Sequence, residues 1–323
     1  ALASPSADWK WLQGNWQVRH QRLKERLVGD TRWDAFTGAS AVWLTLGGLG
    51  TIDDNVMALP SGPYRGLGVR AFDPVSSTWS IWWIDGRTPA HIEAPVRGAF
   101  AGDGGSFRGR DDFKGRPIEV WFRWHDIHGD ERWWEQAFSD DAGAHWEVNW
   151  RNWFRRTAAI PTPLPKLPDA PGDFDFLVGH WNVRHRRLRA RLAGSDAWDA
   201  FNGTLHNWPV LGGFGNVGDN LMDVPGAPLR GMGIRAWNAA ERHWLSWWLD
   251  GRAPTRIGAP LRGGFEAGVG RFFGEDQHEG RAIQTRVIWS RITPRSARWE
   301  QAASADGGRS WETNWVSDFE RQA

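Results

Sequence analysis

One stretch of this sequence occurs twice, and the repeat continues through almost the whole chain. Residues 14–20, Gly-Asn-Trp-Gln-Val-Arg-His, return at 179–185 as Gly-His-Trp-Asn-Val-Arg-His, 165 residues further on. Roughly 45% of residues 9–156 are identical to their partners at that spacing. Self-similarity of this extent indicates the duplication of one domain. The fold must therefore be one that the same pattern can form twice.

Each copy is predicted to be all-β. Runs of alternating apolar and polar residues are separated by turn residues, as where 65–73 leads through Asp73-Pro74 into 77–85. Turn signals recur about every 8–12 residues, which is typical of antiparallel sheets, and no stretch of helix length has a 3.6-residue period. We predict two tandem antiparallel β-barrels of about nine or ten strands each, closed so that no strand edge is free.

The chain divides into three predicted parts. The first barrel is assigned to residues 1–156, a proline-rich linker to 157–172 and the second barrel to 173–323. Repeated prolines make the linker stiff and extended. The chain also has 26 tryptophans, and pairs such as Trp82-Trp83 place them on both faces of a strand. Because one barrel interior cannot hold them all, we expect an aromatic contact between the copies, a pseudo-dimer within one chain.

Composition narrows the possible partners. Lys and Arg number 39 against 38 Asp and Glu, a net charge of +1, so no overall field favours nucleic acid. No apolar run approaches the roughly 18 residues of a membrane span, and the start Ala1-Leu2-Ala3-Ser4 has no apolar signal core. Cysteine is absent, which excludes disulfides and thiol chemistry. We expect a soluble protein, with the cytoplasm favoured although the sequence does not decide the compartment.

A short motif at the start of both copies resembles a known superfamily. Gly14-x-Trp16 and Gly179-x-Trp181 lie on the first predicted strand, as in the lipocalin-like (calycin) barrels. The resemblance implies that the tryptophan plugs the closed end of the barrel and stacks against an arginine from a late strand. The chain differs from true lipocalins in having no C-terminal helix and no disulfide. Duplicated barrels of this kind include ligand carriers and cofactor-free hydratases and cyclases, so both classes remain open.

A second motif also occurs once in each copy. Ser139-x-Asp141-x-Gly143-x-x-Trp146 and its partner, Ser304 to Trp311, match the Asp-box pattern of sialidases and related propellers. In that pattern the Ser and Asp side chains hold a hairpin turn through local hydrogen bonds. We expect a structural role. One box per copy argues against a propeller.

Histidine is the main candidate for chemistry. His20 and His185 are the one histidine pair shared by both copies. If Trp16 points inward, strand alternation places His20 and Arg22 on the same inward face. Burial would then depress the imidazole pKa and suit a base near neutrality. The alternative is a core histidine whose nitrogens satisfy neighbouring polar groups.

The second copy is favoured as the functional one. His206 stands there where the first copy has Ala41, and it adds a titratable group to an otherwise apolar strand. We predict that His185 and His206 form its proton-handling pair. The opposing interpretation is that His206 faces outward.

Further candidates are ligand-binding side chains. Glu135 and Glu300 lie among tryptophans in late strands, where an unpaired charge is costly, so each is either an ion-pair partner or a ligand anchor. Asn55 and Asn220 follow glycine-rich runs and could face a ligand. The other predicted ligand-binding residues are Arg22 and Trp83 in the first copy and Arg187, Trp208, Trp248 and Asn314 in the second.

These residues support one main function and several alternatives. We expect each barrel to have a tryptophan-lined cavity that binds a small hydrophobic or aromatic molecule. The leading hypothesis is a cofactor-free isomerase, cyclase or hydratase that uses histidine as acid and base. The alternatives are a non-catalytic carrier or sensor, a glycan-binding protein and a haem-binding barrel. We expect no cofactor and no metal site. His125 and His128 do not form a local zinc pair, because they are three apart on a strand and face opposite sides.

Overall fold

The computed structural model describes residues 4–323 and contains two closed antiparallel barrels of ten strands each. The all-β prediction and the tandem two-barrel arrangement are confirmed. The chain divides into two compact units after Pro165. The first three residues, on which the expectation about a signal segment partly depends, lie outside the described residues.

The first barrel is a meander in which each strand pairs with the next and the last pairs with the first. Three 3₁₀ turns accompany it, at Pro5–Ala7, Lys10–Leu12 and Leu46–Gly48. The strands are β1 (Gly14–Leu23), β2 (Trp33–Thr45), β3 (Gly50–Leu59), β4 (Gly62–Asp73), β5 (Thr78–Asp85), β6 (Val96–Ala101), β7 (Gly104–Phe113), β8 (Arg116–His125), β9 (Arg132–Ser139) and β10 (Glu147–Ala158).

The second barrel repeats the same order. Its 3₁₀ turns are Asp175–Leu177 and Leu211–Gly213. Its strands are β11 (Gly179–Leu188), β12 (Trp198–Val210), β13 (Gly215–Met222), β14 (Leu229–Asn238), β15 (His243–Asp250), β16 (Leu261–Glu266), β17 (Val269–His278), β18 (Arg281–Ser290), β19 (Ser296–Ser304) and β20 (Glu312–Arg321).

The proline-rich segment is held at both of its ends. β10 continues to Ala158, into the predicted linker. Asn15 then donates from its side-chain amide to the carbonyl oxygen of Thr162 (3.0 Å), within the first unit. In the second unit the backbone N–H of Leu167 donates to the carbonyl oxygen of Gly212 (2.8 Å). The segment is therefore partly anchored to each barrel rather than a wholly free tether.

A tryptophan plugs one end of each barrel, as the Gly-x-Trp resemblance implies. Trp16 is buried, and its indole N–H donates to the carbonyl oxygen of Leu12 (2.7 Å) in the 3₁₀ turn that covers this end. The guanidinium of Arg156, on β10, lies 4.4 Å from the Trp16 ring centre and donates to the carbonyl oxygens of Trp11 and Gln13. The arginine thus joins the first and last strands to the covering turn.

The second barrel has the same plug. Trp181 donates to the carbonyl oxygen of Leu177 (2.8 Å), and Arg321 lies 4.2 Å from its ring centre. Arg321 also donates to the carbonyl oxygens of Val178 and Phe176. Around each plug lies the main apolar cluster of that barrel, which includes Trp9, Trp79, Phe107 and Trp124 in the first and Phe174, Trp244, Phe272 and Trp289 in the second.

The Asp-box segments form turns between the last two strands of each barrel. The hydroxyl of Ser139 donates to the carboxylate of Asp141 (2.8 Å), and the backbone N–H of Gly143 donates to the Ser139 oxygen (2.8 Å). Gly143 has a φ of +85°, a conformation that favours glycine. Ser304 and Gly308 make the equivalent contacts in the second barrel. These hydrogen bonds are the local structural role predicted for the motif.

Truncation of the plug tests its contribution to stability. We expect Trp181→Ala to lower the free energy of unfolding by about 3–5 kcal/mol, because it leaves a large cavity in the packed end. Trp181→Phe keeps most of the ring and removes the N–H donor, for an expected loss of about 1–3 kcal/mol. Denaturant unfolding measures both, with Trp198→Phe on a half-exposed position as the control. Equal losses from all three variants would contradict the plug's role.

Candidate functional site

The shared histidine of each barrel faces the interior. Along β1, Trp16, Val18 and His20 are buried, whereas the intervening Gln17 and Arg19 are exposed. β11 shows the same alternation, with His185 buried. The inward orientation predicted from strand periodicity is therefore what the structure shows for both rings.

Each histidine is enclosed by aromatic groups and a glycine. The His20 ring stacks on Phe36, with ring centres 4.9 Å apart, and its Nδ1 accepts a hydrogen bond from the indole N–H of Trp150 (3.1 Å). A Cβ atom on Gly38 would lie 2.5 Å from the Val56 carbonyl oxygen and 2.8 Å from Nε2 of His20. Glycine is thus required beside the imidazole.

The second barrel reproduces this environment. His185 stacks on Phe201, and its Nδ1 accepts from the indole N–H of Trp315 (3.2 Å). The hydroxyl oxygen of Ser317 lies 2.7 Å from the same nitrogen. Gly203 takes the place of Gly38, with a hypothetical Cβ 2.8 Å from Nε2 of His185.

Burial lowers the pKa of His20 and of His185 to about 4. For His20 the nearby Arg22 lowers it further, while a hydrogen bond with Asn152 acts in the opposite direction. Because an indole N–H can only donate, Nδ1 carries the lone pair, and the proton of the neutral ring is on Nε2. The pKa shift has the direction expected from the sequence. However, the basic nitrogen is already occupied by a tryptophan.

His206 lies on the outer face of the second barrel. The β11–β12 register pairs His180 with His206 and His185 with Phe201. Since inward and outward positions alternate, His185 and His206 are on opposite faces, and the predicted proton-handling pair is not formed. His206 instead stacks on His180, with ring centres 4.0 Å apart. Burial and the neighbouring His180 lower the pKa of His206 to about 4.

Two outer grooves lie on the second barrel. His206 lines the smaller one, of about 230 Å³, together with residues such as Thr204 and Arg230. The larger groove, about 370 Å³, is lined by polar side chains that include Asn182, Asn202 and Asp318, and no tryptophan lines it.

Three predicted ligand-binding residues also face outward, and these assignments require correction. Glu135 lies buried on the outer face of β8 and β9. There its carboxylate forms an ion pair with Arg123 (2.7 Å) and lies 3.1 Å from Nε2 of His125. Its neighbour Gln136 faces inward, opposite Phe122. Glu300 has the same outward register in the second barrel. Trp208 pairs with Val217, one position from the inward Asn207.

Asn314 occupies a different position again, at an irregularity in the strand pairing. The β19–β20 register shifts between Gln301 and Ala302. There Asn314 is buried, and its amide oxygen accepts from the Gln301 side chain (2.8 Å). Asn149 and Gln136 make the matching contact in the first barrel. This amide pair stabilises the irregularity.

The remaining predicted residues meet at the open end of each barrel. Arg22 lies 5.2 Å from the ring centre of Trp150, and Arg187 lies 5.6 Å from that of Trp315. Asn55 and Asn220 also face inward by register, and their amide groups donate to the backbone carbonyls of Asp53 and Gly218. Trp83 and Trp248 complete the two sets, each packed over a glycine, Gly66 or Gly231.

The open ends differ in how their tryptophan is covered. In the first barrel the indole N–H of Trp83 donates to the Tyr64 hydroxyl (2.6 Å), and Arg87 lies 4.0 Å from the Tyr64 ring centre. In the second barrel Leu229 replaces the tyrosine, and this hydrogen bond is lost. Trp248 is 42% exposed, whereas Trp83, at the equivalent position, is half-buried and less exposed.

The interiors of the two barrels also differ in the size and polarity of their side chains. At inward positions Ser246 replaces Ile81 and Thr285 replaces Val120. Ile81 and Val120 are buried, at 7% and 5% exposure, whereas Ser246 and Thr285 are half-buried. Two further inward exchanges remove bulk from the second barrel, Phe122 to Val287 and Phe138 to Ala303. At these four inward positions the second barrel therefore has smaller or more polar side chains.

An interior arginine pair completes the contrast. Arg70, in the first barrel, is buried and forms an ion pair with Asp53 (3.2 Å). Arg235, its counterpart, donates to the amide oxygen of Asn216 (2.9 Å), and Gly218 stands where Asp53 does. Arg235, Ser246 and Thr285 were not predicted as site residues from the sequence. The available signal was the set of unequal partners at inward positions of the repeat.

Comparisons with known proteins assign no function. No protein family model matches this chain, and no curated protein matches it. The solved structures that are similar include a protein of unknown function from the DUF3598 family of Nostoc punctiforme. It is 12% identical over 99% of this chain and 100% of that one, with a TM-score of 0.25.

Two other features are absent from the described part of the chain. In residues 4–323 no group of three or more His, Cys, Asp or Glu is arranged to hold a metal ion. Nor does this part of the chain contain a helix long and apolar enough to cross a membrane.

The buried histidines predict a pH dependence of stability. Between about pH 6.5 and pH 4 the unfolded chain binds a proton on each of these rings and the folded barrels do not. Unfolding is therefore favoured as the pH falls through that window, by up to about 3 kcal/mol per ring. We expect the double variant His20→Gln/His185→Gln to have a denaturation midpoint that depends less on pH. The exposed His91→Gln is the control, and an unchanged slope in the double variant would contradict the assignment.

Proposed function

We propose that the second barrel binds a small apolar or aromatic molecule in its interior and acts as a carrier or sensor. The observation that supports this is the exchange of Ile81 and Val120 for the more accessible Ser246 and Thr285 at equivalent inward positions. The two copies have the same strands and the same plug. A difference in the interior and at the open end is what a binding site in one copy requires.

The walls of this interior suit a flat apolar ligand. Phe201, Met222, Leu229 and Trp315 form one apolar cluster near the open end, and Trp248 adds an exposed indole. Stacking on such rings contributes about 0.5–1.5 kcal/mol per good aromatic pair beyond the burial of area. The polar groups among them would orient a ligand rather than hold most of its surface.

Binding is better supported than catalysis. A general base needs a lone pair within reach of the substrate, and Nδ1 of His185 already accepts from Trp315 and contacts Ser317. Nε2 lies against the backbone at Gly203. The same crowding disfavours an axial haem ligand. An isomerase, cyclase or hydratase would have to displace Trp315 before His185 could take a proton.

The plugged end favours a distant relationship with the lipocalin-like barrels. Trp181 and Arg321 reproduce the ring and guanidinium pairing that this resemblance implies. We include this relationship in the proposal because carriers of apolar ligands are common among such barrels. Glycan binding has less support, since no tryptophan lines the polar outer groove.

Filling the second interior tests the proposal. The probe is N-phenyl-1-naphthylamine, an uncharged aromatic amine whose fluorescence rises in apolar surroundings. We expect Ser246→Ile/Thr285→Val to reduce its affinity by about tenfold or more, because the first-barrel side chains close the space. Trp248→Ala should weaken binding several-fold through the lost stacking. The matched control is Trp83→Ala, expected to have little effect, and equal losses at both tryptophans would show two equivalent sites.

The role of His185 is tested separately. We expect His185→Gln to keep probe affinity within about threefold of the wild type, because the imidazole is packed behind Trp315 rather than exposed to the ligand. Its effect should appear instead as a lower denaturation midpoint. Titration of the probe into both proteins measures the affinities. A loss of tenfold or more in a variant with an unchanged midpoint would mean that the ring contacts ligand.

A further inference from the structure

The first barrel contains an interior ion pair supplied entirely by its own side chains. Nη2 of Arg70 lies 3.2 Å from a carboxylate oxygen of Asp53, and Nη1 donates to the hydroxyl of Thr51 (3.0 Å). The Asp53 carboxylate lies over Gly68, where a Cβ atom would be only 1.7 Å from it. The arginine is 5% exposed, so cation and anion are sealed together.

The second barrel keeps the arginine and lacks the anion. Arg235 occupies the position of Arg70, while Gly218 and Asn216 replace Asp53 and Thr51. Within residues 4–323 no carboxylate forms an ion pair with Arg235; its one side-chain hydrogen bond is to Asn216. The ring faces of Phe174 and Trp289, 5.1 and 5.6 Å away, give partial compensation. A buried charge without a counter-ion is costly.

Unsatisfied polar atoms lie beside the same guanidinium. Asn216 is 2% exposed, and its amide oxygen accepts from both Arg235 (2.9 Å) and Asn207 (3.1 Å). Its amide N–H group has no partner among the described residues. A buried donor left unpaired costs about 1–3 kcal/mol. A cation and an unpaired donor on neighbouring strands together form an anion-binding environment.

This environment is accessible from the barrel interior. Arg235 is half-buried, whereas its counterpart Arg70 is buried. Its cross-strand neighbour Ser246 is also half-buried, whereas the counterpart Ile81 is buried. Burial lowers the pKa of Arg235 to about 10, so the group is still protonated at neutral pH. Gly233 leaves room for the guanidinium, since a Cβ there would lie 3.3 Å from Nη2.

We propose that Arg235 anchors the acid group of the ligand, and that the second barrel binds a small carboxylic acid with an apolar or aromatic body. The ligand's carboxylate supplies the negative charge that Asp53 supplies in the first barrel, and its body extends toward Trp248 at the open end. This inference rests on the proposed function, because it names the ligand class of the same interior.

The proposal predicts a preference for acids over matched neutral molecules. The probes are 1-naphthoate and octanoate, compared with 1-naphthalenemethanol and octanol, titrated by calorimetry at neutral pH. We expect at least one acid to bind wild-type protein about 10- to 100-fold more tightly than its alcohol, the range of a charge-assisted hydrogen-bonded pair. Arg235→Met should remove that preference while alcohol affinity stays within about threefold.

A second variant keeps the test valid if Arg235→Met does not fold. A Cβ at Gly218 would lie 2.8 Å from Leu205, which stands where the first barrel has Ser40. Gly218→Asp/Leu205→Ser therefore rebuilds the first barrel's ion pair inside the second. It should fold, because the first barrel folds with the same side chains at these two positions, and it should lose the acid preference. Arg70→Met in the first barrel is the matched control and should leave acid affinity unchanged.

The outcomes separate the inference from the function on which it rests. Alcohols that bind as tightly as the acids, with both second-barrel variants unchanged, would overturn the anion anchor and leave apolar binding standing. An acid preference that Arg70→Met removes and Arg235→Met does not would also overturn it. Binding of none of the four probes, in a protein that also fails to bind N-phenyl-1-naphthylamine, would overturn both.

Discussion

Closure of each ten-strand sheet is the constraint on which the other features depend. Because β1 pairs with β10 and β11 pairs with β20, all strand edges are satisfied and every second residue must face a finite interior. The plug strengthens this closure at one end. Arg156 and Arg321 come from the last strand, cover the tryptophan of the first strand and bind the carbonyls of the covering turn. The strand pair that closes each barrel thus also carries the residues that plug its end.

With the shell fixed, the two copies differ in what fills it. The first is self-contained: Asp53 neutralises Arg70, Tyr64 holds Trp83, and large apolar side chains occupy the middle. The second keeps the shell, the plug and the buried histidine. It has glycine in place of Asp53 and leucine in place of Tyr64, and several of the large apolar side chains are replaced by smaller or more polar ones. The charge of Arg235 and the exposed ring of Trp248 are left without their first-barrel partners. Duplication allows this, since one copy can lose interior packing while the other retains it.

The sequence predicted the features that depend on local periodicity. The 165-residue repeat predicts the duplication, and turn spacing with alternation predicts the all-β class. The Trp plug is what the Gly-x-Trp resemblance implies. The inward orientation of His20 and His185 follows from alternation along a strand that begins with a fixed anchor, Trp16 or Trp181. The sequence did not decide which face His206, Glu135, Glu300 and Trp208 occupy, and the structure places all four outward. Those strands carry large side chains on both faces, so hydrophobicity does not identify the inner one. A pairing register is needed to decide which face is inside.

The sequence by itself determined that one barrel is built twice and that the first strand of each copy begins with the Gly-x-Trp motif. The tertiary structure decided which side chains meet inside. Arg235 is unremarkable as a sequence position, because its partner Arg70 is the same residue. The register places Thr51 opposite Arg70 and Asp53 opposite Gly68, so that the Asp53 carboxylate reaches Arg70 across the empty side of the glycine. The second copy has glycine at both positions of that second pair, Gly218 and Gly233. This ion pair depends on the pairing of β3 with β4, so its loss in the second barrel is visible only where the paired strands are compared.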